Sequence, residues 1–117
     1  MDIEAFRAHC LAKPGATEDL PFGEDTLVFK VCGKMFALCS IADYANGVTL
    51  KCDPEQAVEL RETYTQVKPG YHMNKAHWNT ILPASGLPDG LLQEWVDASY
   101  HLVATKLPKK LKQELGI

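Results

Sequence analysis

Thr26–Cys39 reads TLVFKVCGKMFALC. Leu27, Phe29 and Val31 alternate with Thr26, Val28 and Lys30, the period-two pattern of a strand with one buried face. Gly33-Lys34 follows, where a glycine at the first central position supplies the positive φ of a type II′ turn. Met35–Cys39 then returns as a second strand. Two strands joined by so short a turn must be antiparallel. That excludes a purely parallel, doubly wound sheet and sets the class of the fold.

Working outward, Asn46-Gly47 signals another turn and Val48–Cys52 alternates as a third strand. Asp53-Pro54-Glu55-Gln56 then supplies an N-cap, a proline at N1, a dipole-matched acid and a glutamine at N3. A helix begins there, with Ala57, Leu60 and Tyr64 as its inward stripe. Val67–Lys68 and Lys75–Leu82 read as two extended segments broken at Pro69-Gly70. The loop from Pro83 to Gly90 launches a third helix, in which Leu91, Leu92, Trp95, Val96, Ser99, Leu102 and Val103 fall at helical spacing. Pro108 ends it, and Lys109–Leu115 forms a short last helix. Before the hairpin, Asp2 caps a first helix with Ile3, Phe6, Cys10 and Leu11 on one stripe, and Pro14-Gly15 ends it. The order is helix, three strands, helix, two strands, helix. It predicts an α+β fold, a two-layer α/β sandwich with helices on one face of an antiparallel sheet. The other face is left to solvent or to binding.

The chain has 117 residues, and no repeat or linker divides it, so one domain spans residues 1–117. Its apolar runs are far shorter than a membrane span, and the N-terminus MDIEAFRAHC has acids where a secretion signal needs bases. No membrane association and a cytoplasmic location are the expectations. The four cysteines, Cys10, Cys32, Cys39 and Cys52, stand singly and read as reduced, buried small hydrophobes. The formal net charge of −3 disfavours nucleic-acid binding through the overall field and confines it to a local patch. The charge distribution leaves room for one, since no Asp or Glu occurs between Glu62 and Asp89 while Lys68, His72, Lys75 and His77 do.

Signatures of phosphate-loop, dinucleotide, serine-hydrolase and zinc-protease chemistry do not occur. His72 and His77 are five apart, on opposite faces of a regular strand, and no metal or cofactor is expected of them. Asp97 reads as a helix-surface charge. No catalytic motif is present, so the chain is read as a non-enzyme. The compositional oddity is Tyr71–Thr80, YHMNKAHWNT, which packs imidazoles, an indole, a phenol, carboxamides and an ammonium into ten residues without an acid. Lysine and asparagine suit phosphates or base edges, and aromatics suit stacking. Alternation sets His77, Asn79 and Ile81 on one face and Ala76, Trp78, Thr80 and Leu82 on the other, which assigns Trp78 to the apolar core.

Several stretches in fixed order carry a family likeness: Ala12-Lys13-Pro14-Gly15-Ala16, Glu18-Asp19, Pro21-Phe22-Gly23, Lys30-Val31, Gly33-Lys34-Met35-Phe36-Ala37, Leu50-Lys51 and Asp53-Pro54. Pro69-Gly70-Tyr71-His72-Met73-Asn74-Lys75, His77-Trp78 and Asp97-Ala98-Ser99-Tyr100 complete them. From Cys10 to about Pro108 the chain resembles the MmcQ/YjbR-like family of small bacterial proteins. The resemblance implies an α-β(3)-α-β(2)-α, CyaY-like fold similar to that of type III secretion chaperones. Members are commonly labelled DNA-binding, with a double wing of paired hairpins. On that basis Lys30, Lys34, Lys51, Lys68, His72, Asn74, Lys75 and His77 are the expected nucleic-acid-binding residues. DNA is the first expected partner, and another protein, bound as by an adaptor, is the alternative. A small-ligand binder or an enzyme using His72, His77 and Asp97 ranks third.

Overall fold

The computed structural model describes residues 1–70, 73–83 and 86–117. In chain order its elements are α1 (Ile3–Leu11), β1 (Ala16–Asp19), β2 (Thr26–Val31), β3 (Lys34–Ser40), a 3-10 turn (Tyr44–Asn46), β4 (Val48–Lys51), α2 (Pro54–Thr63), β5 (Val67–Pro69), β6 (Trp78–Ile81), α3 (Asp89–Ala104) and α4 (Lys109–Leu115). The strands form one sheet in the order β1-β2-β3-β4-β6-β5, and every neighbouring pair is antiparallel. The α+β class and the helix-covered sheet are as the sequence predicts.

Local chemistry places the helix starts. Asp2 accepts the Ala5 amide at 2.8 Å, and Asp53 accepts the Gln56 amide at 3.4 Å with Pro54 just behind it. Phe6 and Cys10, one turn apart, are the buried stripe of α1, and α3 buries Leu92, Trp95, Val96, Ser99, Tyr100 and Val103. These meet Leu27, Phe29, Val31, Ala37, Cys39, Val48, Leu50, Val67 and Ile81 in one hydrophobic cluster. Leu60 and Tyr64 at α2 and Leu111 and Leu115 of α4 pack against it. An aromatic chain runs through its centre, with ring centroids 5.7 Å apart for Phe6 and Phe29, 6.5 Å for Phe29 and Phe36, and 5.4 Å for Phe36 and Tyr100.

Register fixes which side chains face the helices, because paired residues share a face. Leu27, Cys39, Val48, Ile81 and Val67 form one helix-facing row, and Phe29, Ala37, Leu50 and Asn79 form the next. Asp19, Val28, Leu38, Thr49, Thr80 and Lys68 form a row on the opposite, helix-free face. Lys30 and, on β4 and β6, the pair Lys51–Trp78 lie on that face too.

Four expectations are corrected. A fourth strand, β1, precedes α2, so the sheet has six strands; Ala16–Asp19 pairs with Val31–Val28. The first hairpin turns at Cys32-Gly33, not Gly33-Lys34, since Val31 pairs with Lys34. Both turn residues have positive φ, 48° and 78°, as in a type I′ turn, so glycine takes the second central position and Cys32 the first. The same turn leaves Cys32 exposed, unlike buried Cys10 and Cys39 and half-buried Cys52. Trp78 is buried but stands outside the helix-side cluster; Asn79 and Ile81 take the helix side instead. Burial of all four β6 side chains explains the misassignment: the strand has no polar face from which to read an orientation.

β3 carries a bulge between its pairings to Phe29 and Lys30, and both Phe36 and Ala37 are fully buried there. The β3–β4 ladder ends at Ala37–Leu50. Beyond it, the Ser99 hydroxyl stands between the strands. It donates to the Phe36 carbonyl at 2.5 Å and accepts the Lys51 amide at 2.9 Å. A helix side chain thus completes the strand pairing where the bulge interrupts it.

Candidate binding face of the sheet

The helix-free face has two zones. Its charged zone contains the lysines. Lys51 pairs with Trp78 across β4 and β6, and Lys68 on the edge strand pairs with Thr80. Lys30 lies on the same face two strands from Lys51, about 10 Å away at the usual strand spacing. Its ammonium is 3.7 Å from Asp19 Oδ2, so part of its charge is answered within the chain. Lys34 is exposed where the first hairpin ends. Trp78 is held there by a close approach of backbone: a Cβ on Gly70 would lie 2.8 Å from the Trp78 Cβ and 2.9 Å from its carbonyl oxygen. Only glycine fits that position.

The remaining predicted residues lie in the loop before β6, not in a strand. Asn74 is exposed, and its Oδ1 accepts the Ala76 amide at 2.9 Å, closing a local turn. The Lys75 ammonium donates to the Gly70 carbonyl at 3.1 Å, and the Lys75 carbonyl accepts from Arg61 at 3.2 Å. His77 is exposed, and its carbonyl accepts the Cys52 amide at 2.8 Å. His72 lies outside the described residues. The structure therefore collects Lys30, Lys51 and Lys68 on one face, puts Lys34 at a hairpin tip, and folds Lys75 back onto its own loop. Among the described residues, no three His, Cys, Asp or Glu side chains are grouped as metal ligands.

The second zone is a groove of about 690 Å³ over β3, β4 and β6. Phe22, Leu38 and Met73 supply apolar walls, Thr26, Ser40, Thr49 and Thr80 supply hydroxyls, and Asp43 and Asn46 stand at one end. Thr49 and Thr80, directly opposite in register, share a hydrogen bond of 3.0 Å on the floor. Phe22 is 64% exposed, the most open of the large apolar side chains among the described residues, and Leu20 and Ile41 are exposed nearby in sequence to Phe22 and Ser40. Gly47 lines the groove at φ 146°, and a Cβ there would meet the Thr80 methyl at 2.4 Å. Asp25 braces this end. It accepts the Ser40 hydroxyl at 2.6 Å and the Ala42 amide at 2.7 Å, and these bonds hold its carboxyl below the usual carboxylate range. None of the groove's residues is among the predicted site. Phe22 and Leu38 come from a loop and a strand that only the sheet register brings together.

A third cluster ties α1 to α3. The Asp97 carboxylate bonds His9 Nε2 at 2.7 Å and the Lys13 ammonium, and the Tyr100 hydroxyl donates to the Pro14 carbonyl at 2.5 Å. Burial alone raises the Asp97 carboxyl, but the bonds from Lys13 and His9 outweigh it and leave the group below its ordinary value. A carboxyl depressed in the folded state stabilises the fold above its unfolded value, and that contribution disappears as pH falls through the folded value. Stability is therefore expected to drop on acidification below about pH 4, with Asp97→Asn losing that part of the slope in urea melts across pH. Asp97 is half-exposed, so solvent screening keeps the effect under about 1 kcal/mol.

The Lys13-Pro14 and Asp97–Tyr100 stretches, far apart in sequence, meet in this cluster, as parts of one family pattern should. The sequence model of the YjbR family matches residues 11–102. The chain belongs to the YjbR family. YjbR itself, described as an uncharacterised protein of Escherichia coli K12, is 35% identical over 115 residues, 98% of each chain. YbdF of Escherichia coli O157:H7, likewise described as uncharacterised, is 38% identical over 90 residues, covering 77% of this chain and 74% of that one. The crystal structure of Deinococcus radiodurans protein DR2400, assigned to domain DUF419, superposes with TM-score 0.90 at 39% identity over 98% of this chain and 88% of that one. A Pseudomonas syringae protein superposes with TM-score 0.74 at 27% identity over 87% of this chain and 98% of that one. No helix among the described residues of this YjbR-family chain is long and apolar enough to cross a membrane.

Proposed function

We propose that this YjbR-family chain is a protein-binding adaptor that takes an extended segment of a partner in the groove on its helix-free sheet face. The role is binding, not catalysis. The groove itself carries the reading: about 690 Å³ is within the range of specific ligand sites, and its walls combine apolar surface with a few placed hydroxyls. A backbone segment needs both, hydroxyls for its amides and apolar walls for its side chains. Phe22 leaves most of its side chain open at the groove wall, where an apolar side chain of a bound segment would cover it. Amide NMR during titration with a pool of random short peptides tests this. Shifts should concentrate at Leu38, Thr49, Thr80 and the Phe22 loop and vanish in Phe22→Ser. Shifts spread over α1 and α3, or none at all, would sink the reading.

A second reading, DNA binding through the lysines and the β2–β3 hairpin, is supported by Lys30, Lys51 and Lys68 sharing one face. About four phosphate contacts would give log K a slope near −3.6 against log salt. Lys51→Glu and Lys68→Glu should each lower that slope by about one. Fluorescence anisotropy with duplex and single-stranded DNA at low salt measures it, and binding indifferent to salt would remove this reading.

A further inference from the structure

We infer that the partner segment held in the groove carries a basic residue, lysine or arginine, beside its apolar ones. This inference rests on the groove reading and adds to it the charge of the occupant.

The lining chemistry is one-sided. Asp43 is the charged side chain of the groove wall, and no lysine, arginine or histidine lines it among the described residues. Asn46 fixes the Asp43 carboxylate, donating from Nδ2 to both oxygens at 2.7 and 2.8 Å. A carboxylate accepts about four hydrogen bonds, so this one keeps capacity for an incoming ammonium or guanidinium. Asp25 stands behind it through Ser40, whose hydroxyl bonds Asp25 and accepts the Asp43 amide at 3.0 Å. Two carboxylates thus flank one end of the groove, both on exposed residues and both held by neutral donors, with no cation among the described residues paired to either. Of the described cations on this face, Lys68 pairs with Thr80 at the edge-strand side of the floor, Lys51 pairs with Trp78, and Lys30 is turned to Asp19; none of the three lines the wall beside Asp43.

A phosphate or carboxylate at this end of the groove would meet Asp43 with no cation among the described lining residues to offset it. A cation is attracted there, and the exposed Phe22 side chain on the groove wall gives the segment an apolar surface to pack on. Leu38 and Met73 accept the apolar neighbours, methionine adapting to side chains of different shape. The floor spans three strands, from Leu38 through Thr49 to Thr80, which is about 10 Å across. That width suits a run of residues better than a single small cation.

Phage selection of random short peptides on the full chain tests this. Enriched sequences should place a lysine or arginine within a few residues of apolar ones, and should lose binding to Phe22→Ser by about tenfold, as hot-spot aromatics do. A synthetic copy of an enriched peptide should bind Asp43→Asn about two- to five-fold more weakly, the size of a partly exposed ion pair. Replacing its basic residue by norleucine should cost the same in wild type and nothing in Asp43→Asn. Both variants alter exposed side chains, and unchanged thermal melts will show that they fold. Enriched peptides that depend on Phe22 but are neutral or acidic would overturn the charge inference and leave the groove standing. Enrichment that is absent, or indifferent to Phe22→Ser, would overturn both.

Discussion

Phe36→Ala is expected to lower the unfolding free energy by about 3–5 kcal/mol, as truncation of a fully buried phenylalanine does where the gap cannot close. The site is rigid on all sides. Phe36 has no exposed surface, and its ring is centred 6.5 Å from Phe29 and 5.4 Å from Tyr100. It also sits in the β3 bulge, which turns two consecutive residues, Phe36 and Ala37, into the core. A domain of this size has about 6–18 kcal/mol of stability, so the variant should forfeit a large share of it. Urea denaturation with an unchanged m-value is the measurement. A loss under about 1 kcal/mol would mean that Tyr100 or Phe29 collapses into the space.

Ser99→Ala is the second large effect, and its cause is polar. The hydroxyl removed is the one partner shared by the Phe36 carbonyl and the Lys51 amide, and Ser99 is fully buried. Each buried backbone group left without a partner costs about 1–3 kcal/mol, which gives a loss of about 2–4 kcal/mol for the pair after some relaxation. Hydrogen exchange separates the possible outcomes. The Lys51 amide should exchange far faster in the variant than in wild type. If it stays protected, β3 and β4 have closed on each other and paired directly, and the bulge does not need its helix bridge. Phe36→Ala and Ser99→Ala meet at one residue, so their effects in the double variant should fall short of the sum.

Much of this fold was legible in the sequence, for local reasons. Asp2 and Asp53 are cap residues in cap positions, Leu27, Phe29 and Val31 alternate over one buried face, and α3 carries an unbroken apolar stripe. β1 was not legible, because Ala-Thr-Glu-Asp has neither strand propensity nor a hydrophobic face; it is a strand only because β2 offers it an edge. The side of the sheet that Trp78 takes was lost for a similar reason. A large indole points to the core by composition, but the β4–β6 register puts it opposite Lys51 on the other face. The lysines of the predicted site were half recoverable: alternation gives a face to Lys30, Lys51 and Lys68, and says nothing of a loop residue such as Lys75. The groove was the least visible part. Phe22, Leu38, Met73 and Thr80 are separated by long stretches of chain, and no spacing rule connects them. The exposed phenylalanine after Pro21 was the one local signal.

The strand order has a dynamic consequence. The sheet consists of two meanders, β1-β2-β3-β4 and β5-β6, which meet along the single pairing of Val48–Lys51 with Trp78–Ile81. Each meander has its own roof: α3 packs on β2, β3 and β4, while α2 packs on β5 and β6. The Nδ2 of Asn79, on the seam itself, donates to the Ala57 carbonyl at 3.2 Å and fastens the smaller roof to its strands. The seam is therefore where sub-global opening is expected, and it would take Thr80 and Met73, one wall of the groove, with the smaller half; native-state hydrogen exchange faster at the β5 and β6 amides than at those of β2 and β3 checks it.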